Sequence, residues 1–427
     1  MKHIKILSVT AMLAFIVSTQ AQSLDECRRL AREHYPAIRQ YDLISQTEQF
    51  SLSNAARAWI PQVSFSAQAT YQSATATYPE MLANMLTSNG VEVSGLRKDQ
   101  YKVAIDVTQQ IWDGGQTKAN RAAIEAEAAE QRKATHVDLY ELEARVDDIY
   151  FGILLLDERI AQGERKIELL KSNLEKVRSY CRNGVAMQAD ADMVEAELLT
   201  AKQALGQAQT SQESFRRMLE IFIGSPLTDQ KLQRPEMRSL QSHVLARPEL
   251  EWFDAQIDKL SAKEKSVTSS VMPKFSAFAQ GYYGYPGLDM FKSMMSSDWT
   301  LNGMIGLRMS WNIGAFYTKK NSLRSLRTAR EQVEVQRNIF QFNTQLHSTQ
   351  EESEISRLRQ VIADDERIAD LRRSVRVAAE SQLTNGIIDT TDLLQKITEE
   401  TAAVLNRSTH EIELLQAVYK LKHTLNQ

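Results

Sequence analysis

Two proline-free runs limit what this chain can fold into, residues 116–182 and 317–384, and each stops at the same dipeptide, Asn183-Gly184 and Asn385-Gly386. A second helical run begins a few residues later in both, with an acid six positions past the glycine, Asp190 and Asp392. Glycine at a helix end supplies the left-handed residue that turns the chain. The pattern predicts a helical hairpin in each half. A continuous helix over 116–182 would reach about 100 Å at about 1.5 Å per residue, a rod no compact globule accommodates. Only 8 prolines and 16 glycines punctuate 427 residues, which fits few, very long helices.

The apolar spacing says how the rods pack. Ile149, Ile153, Leu156, Ile160, Gly163, Ile167, Leu170, Leu174, Val177 and Cys181 advance by four and three alternately, a heptad seam. Beyond the bend, Ala191, Val194, Leu198, Ala201, Leu205, Ala208, Gln212, Phe215, Leu219 and Phe222 continue it, which predicts an antiparallel pair. The second half is seamed in part, by Ile355, Leu358 and Ile362 and then by Leu371, Val375 and Ala378. Ala119, Ala122, Ala126 and Ala129 share one face, where small residues let helices approach closely.

The halves repeat one order of parts. Pro36 and Pro61 bracket a polar helical segment, and Pro248 and Pro273 bracket another 212 positions later. Asn183 and Asn385 are only 202 apart, and the missing residues fall mainly between the two strands of the second half, as expected of an exposed loop. The chain divides into a signal segment at 1–21, a first repeat at 22–224, a connecting segment at 225–247 and a second repeat at 248–427.

Each repeat carries two alternating segments. Val63, Phe65, Ala67, Ala69 and Tyr71 face one way and Ser64, Ser66, Gln68 and Thr70 the other, the period-two pattern of a strand. Val103, Ile105, Val107 and Ile111 alternate with Asp106, Thr108 and Gln110. Ile305, Leu307, Met309, Trp311 and Ile313 alternate with Gly306, Arg308, Ser310 and Asn312. Phe275, Ala277 and Ala279 form a weaker case, because Phe278 interrupts the polar face. Aromatics collect at the strand ends, Trp59, Trp112 and Trp311 at one and Tyr71, Tyr78, Tyr101, Tyr282, Tyr283, Tyr285 and Trp299 toward the other. Two such bands around an apolar face suit strands that cross a bilayer, and a soluble sandwich with aromatics in its core is the competing reading. Four strands cannot close a barrel, which wants about 8 or more. Open edges in hydrocarbon would leave amides and carbonyls unpaired, so strands that span a membrane here require several chains to share one barrel.

Composition removes other classes. Lys and Arg number 51 against 54 Asp and Glu, which favours no nucleic acid or polyanionic surface. Cys27 and Cys181 cannot form a disulfide framework, and the charged Asp25-Glu26 before Cys27 disfavours a lipoprotein site. Lys2, His3 and Lys5 precede an apolar segment from Ile6 to Val17 and small residues up to Ala21, a signal peptide cleaved after Ala21. No later run is long and apolar enough for a transmembrane helix. The seven histidines show no metal-ligand spacing, and neither a G-x-S-x-G elbow nor a Walker loop is present. No enzyme, cofactor or metal is expected.

At this point the residues resemble a family, the TolC-like outer-membrane efflux proteins. The resemblance lies in the signal peptide, the duplication, Leu24-Asp25-Glu26-Cys27 through Pro36 as an opening helix, Ile60-Pro61-Gln62 entering a strand, Ile111-Trp112-Asp113-Gly114-Gly115 leaving one, Ala246-Arg247-Pro248-Glu249-Leu250 and both Asn-Gly bends. It implies a mainly helical protein with a transmembrane β-barrel contribution, a homotrimer sharing a twelve-stranded barrel continued by a helical tunnel. It implies outer-membrane lipid, a periplasmic adaptor and an inner-membrane pump as partners. It places Asn183, Gly184, Asn385 and Gly386 at the periplasmic tip, in contact with the adaptor, and Asp190, Asp192 and Asp392 around the aperture. Gln395 stands where some relatives carry another acid, and Ile313-Gly314-Ala315-Phe316 lacks the Asp-Gly-Gly of the first repeat.

The expected function is a passive exit duct for efflux or type I secretion, gated at its tip and lined above by Ser64, Ser66, Gln68, Thr70, Asp106, Thr108, Arg308 and Asn312. A helix dipole alone could explain Asp190 and Asp392, but six residues past the glycine puts them about a turn inside the helix, where that effect fades. A periplasmic coiled-coil scaffold and a pump-independent porin are the alternatives.

Overall fold

A computed structural model describes residues 23–90, 95–227, 231–237 and 245–427. The signal segment at 1–21 lies outside the described residues. The elements in order are α1 (Leu24–His34), α2 (Arg39–Ala56), β1 (Gln62–Tyr71), α3 (Glu80–Ser88), β2 (Asp99–Trp112), α4 (Gln116–Arg182), α5 (Gln188–Ile223), α6 (Pro248–Ser270), β3 (Lys274–Tyr285), α7 (Met290–Met295), β4 (Thr300–Ser310), α8 (Ala315–Thr384) and α9 (Thr390–Leu425). Helix, strand, strand, long helix, helix thus occurs twice. No described helix is long and apolar enough to cross a membrane. The chain forms two compact units, and α4 and α8 contribute to both.

The first unit comprises residues 1–39, 135–248 and 340–427, and among its described residues all regular structure is helical. Ile167, Leu170, Leu174 and Val177 of α4 meet Ala191, Val194, Leu198 and Ala201 of α5 in one buried cluster, the antiparallel seam that the heptads predict. Gly163 stands in that seam beside Leu205, whose nearest atom is 3.4 Å from where a Cβ would be, an ordinary contact distance. Gly152 is tighter, since a Cβ there would lie 2.5 Å from the Phe215 ring. In the second hairpin Ile355 and Leu358 of α8 bury against Leu414, Val418, Leu421 and Leu425 of α9, with Ile362 beside them.

Farther along α8 the expected seam is overturned. Leu371 is 58% and Val375 44% exposed, while Asp365, Ala369 and Ala379 are buried. The buried face carries an acid, paired with His410 of α9 at 2.6 Å, so the inward stripe there is not the most apolar one. The connecting segment straps this unit together. Tyr150 of α4 donates to the Gln233 carbonyl at 2.6 Å, Tyr419 of α9 to that of Glu236 at 3.2 Å, and Arg234 pairs with Glu158 at 2.9 Å. Cys27 is fully buried in α1, where burial, and then Glu26, pushes its thiol up to about 12. Both cysteines are free.

The second unit, residues 40–134 and 249–339, holds the sheet, ordered β1-β2-β3-β4 with every pair antiparallel. Strands β1 and β4 are its two edges. Strand β4 stops at Ser310, so Trp311, Asn312 and Ile313, expected to extend it, lie in the turn before α8, where the Asn312 carbonyl accepts from the Ala315 N–H. The first junction differs. Asp113 caps α4 through hydrogen bonds from the N–H groups of Gly115 (2.9 Å) and Thr117 (2.6 Å), while Gly114 and Gly115 take positive φ. Burial pushes the Asp113 carboxyl up, but those hydrogen bonds outweigh it and hold the group below the usual carboxylate range.

Candidate functional site

The strand register decides what each face of the sheet presents. Val63 pairs with Val107, Phe65 with Ile105 and Ala67 with Val103, then Val107 with Ala279, Ala279 with Ile305 and Ala277 with Leu307, so the apolar residues of all four strands share a face. That face is open: Phe65, Ile305 and Leu307 are 71, 86 and 80% exposed. Such an area on a single sheet needs a nonaqueous neighbour.

Aromatics fence it at both ends. Tyr101 stacks on Trp299 at 5.9 Å, with Tyr283 at 5.4 Å from the same indole, and Tyr71 stands on the strand beside them. At the helix end Trp112 meets Phe275 at 5.8 Å, Trp311 donates to the Val271 carbonyl at 3.0 Å, and Trp59 lies in the turn entering β1. Of the aromatics expected in the two bands, Trp59, Trp112, Trp311, Tyr71, Tyr101, Tyr283 and Trp299 are exposed near strand ends and Tyr78 is half-buried, but Tyr282 and Tyr285 are buried, the second because its hydroxyl donates to the Ser293 carbonyl at 3.0 Å.

The opposite face is polar. Ser64 pairs with Asp106 and Gln62 with Thr108, and Ser66, Gln68 and Thr70 point the same way by alternation. Asp106 accepts from Gln280 Nε2, whose Oε1 accepts from Lys102 Nζ at 2.9 Å, and that ammonium sits 4.5 Å from the centre of the Tyr282 ring. Arg308 lies over the Phe278 ring at 4.6 Å. Phe278 interrupts the polar face because it carries that guanidinium, and Gly306 leaves room for its ring, which a Cβ would approach to 2.9 Å. Lys102 and Gln280 were not singled out in the sequence, and Tyr282 was expected in the aromatic band rather than on this face. The alternation of β2 and β3 would have placed them on this face.

Both bends have the same hydrogen bonds. Val185 N–H donates to the Tyr180 carbonyl at 2.9 Å and Gly184 to that of Cys181 at 3.1 Å; Ile387 donates to Gln382 at 2.9 Å and Gly386 to Leu383 at 3.0 Å. This is the Schellman closure, with φ +74° at Gly184 and +70° at Gly386. Asn183 and Asn385 are the residues just before those glycines, each donating its backbone N–H back into the helix.

The acids beyond the bends sit differently from their expected place. Asp190 and Asp392 are in the first turn of α5 and α9, not a turn inside. Asp190 Oδ2 accepts from the Met187 N–H at 2.9 Å, half of a capping box. The Asp392 N–H donates to Asp389 Oδ1 at 2.8 Å, so Asp389 is the cap and the Asp392 carboxylate is left exposed. Asp192 is exposed and accepts from Gln188 Nε2 at 2.9 Å. Thr391 approaches the Met193 sulfur at 3.5 Å, which brings the starts of α5 and α9 together. Among the described residues no group of His, Cys, Asp and Glu is placed to hold a metal ion.

A four-stranded sheet with an apolar and a polar face, in one chain with paired helical rods, is the fold of solved outer-membrane channels. Residues 28–225 match the family described as outer membrane efflux protein. The fold extends over nearly the whole chain. VceC, an outer membrane protein of Vibrio cholerae, is 14% identical with a TM-score of 0.68, over 94% of this chain and 94% of that one. A membrane protein from Pseudomonas aeruginosa is 12% identical with a TM-score of 0.71, over 94% and 90%. The open state of the Neisseria gonorrhoeae MtrE outer membrane channel is 16% identical with a TM-score of 0.65, over 94% and 88%. No match was found among curated proteins.

Proposed function

We propose that three copies of this chain close one twelve-stranded barrel in the outer membrane and form the passive exit duct of a tripartite efflux or type I secretion system. The observation that carries this reading is the four-stranded sheet with both edges open and an exposed apolar face fenced by aromatics. In hydrocarbon the unpaired edges of β1 and β4 need partner strands, and another copy of the chain supplies them. Helix α8 supports assembly as well. Val335, Ile339, Phe342 and Leu346 follow heptad spacing and are all more than half exposed, a stripe left over after the helix has packed within its own chain.

In this reading the two Asn-Gly bends are the periplasmic tip that meets an adaptor, and an inner-membrane pump supplies the energy. Asp190, Asp192 and Asp392 from three chains surround the aperture, a field that attracts cations and resists anions. The duplication at 22–224 and 248–427, with 225–247 as connector, puts two hairpins of each chain into the tunnel wall. The test is fractionation followed by conductance. Recovery in the outer membrane as a heat-labile trimer, nearly shut in a planar bilayer and opened by joint neutralisation of the tip acids, is expected. A soluble periplasmic protein would overturn the duct in favour of a scaffold, and a pore already wide open in isolation would overturn the gate.

A further inference from the structure

The polar face of the sheet carries an unbalanced charge. The register puts four charged side chains on it, Lys102, Asp106, Lys274 and Arg308, so three cations stand against one carboxylate. Asp106 is tied through Gln280 to Lys102, which leaves Lys274 and Arg308 as the excess. Those two are neighbours, since Lys274 pairs with Ser310 and Arg308 with Ser276 at the helix end of the sheet. Lys102, paired with Gly284, stands toward the other end. The apolar face has one charged strand residue, Asp99 at the tip of β2, and it is paired with Arg97. Aromatic rings hold two of the cations against the wall, Tyr282 under Lys102 and Phe278 under Arg308, so these charges are positioned without being neutralised.

We propose that the barrel section of the duct prefers anions, and that small molecules bearing net negative charge cross it more readily than cations of equal size. Cations ringed around a narrow polar passage with low-dielectric walls raise the local concentration of counter-ions, which is how charged side chains set the selectivity of a pore. The inference rests on the shared-barrel reading, in which the polar face lines the lumen. The tip acids oppose it in sign, so the duct holds two filters in series, and the barrel filter is read once the tip is neutral.

The experiment uses the full-length trimer in planar bilayers with a potassium chloride gradient. Reversal potentials are measured for the wild type and for Asp190→Asn, Asp192→Asn, Asp392→Asn combined. The tip-neutral channel is expected to prefer chloride. Adding Lys274→Gln and Arg308→Gln should remove most of that preference, and adding Asp106→Asn instead should increase it. The preference should also fade in molar salt, where the Debye length falls to about 3 Å. If the double glutamine variant does not assemble, Lys102→Gln and Asp106→Asn still predict shifts of opposite sign. A potassium preference in the tip-neutral channel, or one unmoved by these substitutions, overturns the inference and leaves the duct standing. No conductance from any variant, nor from the same channel with the three tip acids changed to alanine, overturns the shared barrel, and the inference with it.

Discussion

Asp190 has two possible jobs in one place, and two substitutions separate them. Its Oδ2 accepts from the Met187 N–H at 2.9 Å, so it fastens the first turn of α5 whether or not it also charges an aperture. Asp190→Ala removes both the acceptor and the charge. Asp190→Asn keeps an oxygen that can accept from Met187 and removes only the charge. Losing the cap costs about 1 kcal/mol. Losing a charge near the helix N-terminus costs about 0.3–1 kcal/mol more. The alanine variant should therefore speed hydrogen exchange in residues 187–191 by about tenfold, since about 1.4 kcal/mol is a factor of ten. The asparagine variant should speed it by about threefold, as about 0.7 kcal/mol implies.

Conductance should not follow that order if the carboxylate gates. With Asp192 and Asp392 changed in parallel, the asparagine and alanine series should open the channel equally, because both remove the same charge. Hydrogen exchange by mass spectrometry and single-channel recording on the same preparations make the comparison. If the alanine series opens the channel while the asparagine series stays shut, tip fraying opens the channel, and the charge-based gate is wrong.

Packing of the first hairpin gives a second pair. Gly152→Ala gains about 1 kcal/mol of helix propensity but drives a methyl to 2.5 Å from the Phe215 ring, overpacking that costs about 1–3 kcal/mol. It should weaken protection in α4 and α5, whereas Gly206→Ala, with nothing within 4 Å in its own chain, should strengthen it. The same exchange measurement reads both. Removing the α4 cap with Asp113→Ala should cost about 1 kcal/mol at neutral pH. Because the folded carboxyl titrates below its ordinary value, that stabilisation is present above the unfolded-state range and is lost as pH falls through the folded value, so wild type and variant should converge in acid. Asp147→Ala should cost about 1.5–3 kcal/mol by removing the carboxylate that Arg28 holds through Nε at 2.7 Å, leaving Arg28 only Asp25 at 3.8 Å among its ion pairs, and denaturation of the detergent-solubilised protein should show it. A maleimide should label half-exposed Cys181 in the folded protein and spare Cys27, buried and with its thiol pushed up to about 12.

What could be read from the sequence depended on whether a residue type has one physical use or two. Gly184 and Gly386 have one, a left-handed turn at a helix end, and the bends stand where Asn-Gly places them. The alternation of β1 also has one, because period two in a proline-free stretch with an apolar face fits only a strand. Helix α8 is ambiguous at Leu371 and Val375, since a heptad stripe says that a partner exists and not whether it belongs to the same chain. The helix packs within its chain through Ile355 and Leu358 and then turns a stripe with Asp365 in it toward α9, leaving the more apolar stripe exposed. That is the reverse of what burial inside one chain would select, and in the shared-duct reading the surface covering Leu371 and Val375 lies outside the chain. Asp190 fails for a related reason. Counting six residues from the glycine assumes that the helix starts at the bend, but Val185, Ala186 and Met187 intervene before α5 begins, so the acid lands in the first turn, where capping and gating coincide. The exposed acids are Asp192 and Asp392, the second because Asp389 has taken the capping role one turn earlier. Asp392 has a carboxylate that its own helix does not use for capping, and Asp192 is exposed although it accepts from Gln188 of the same helix, so the charge argument for a gate is strongest for Asp392 and stronger for Asp192 than for Asp190.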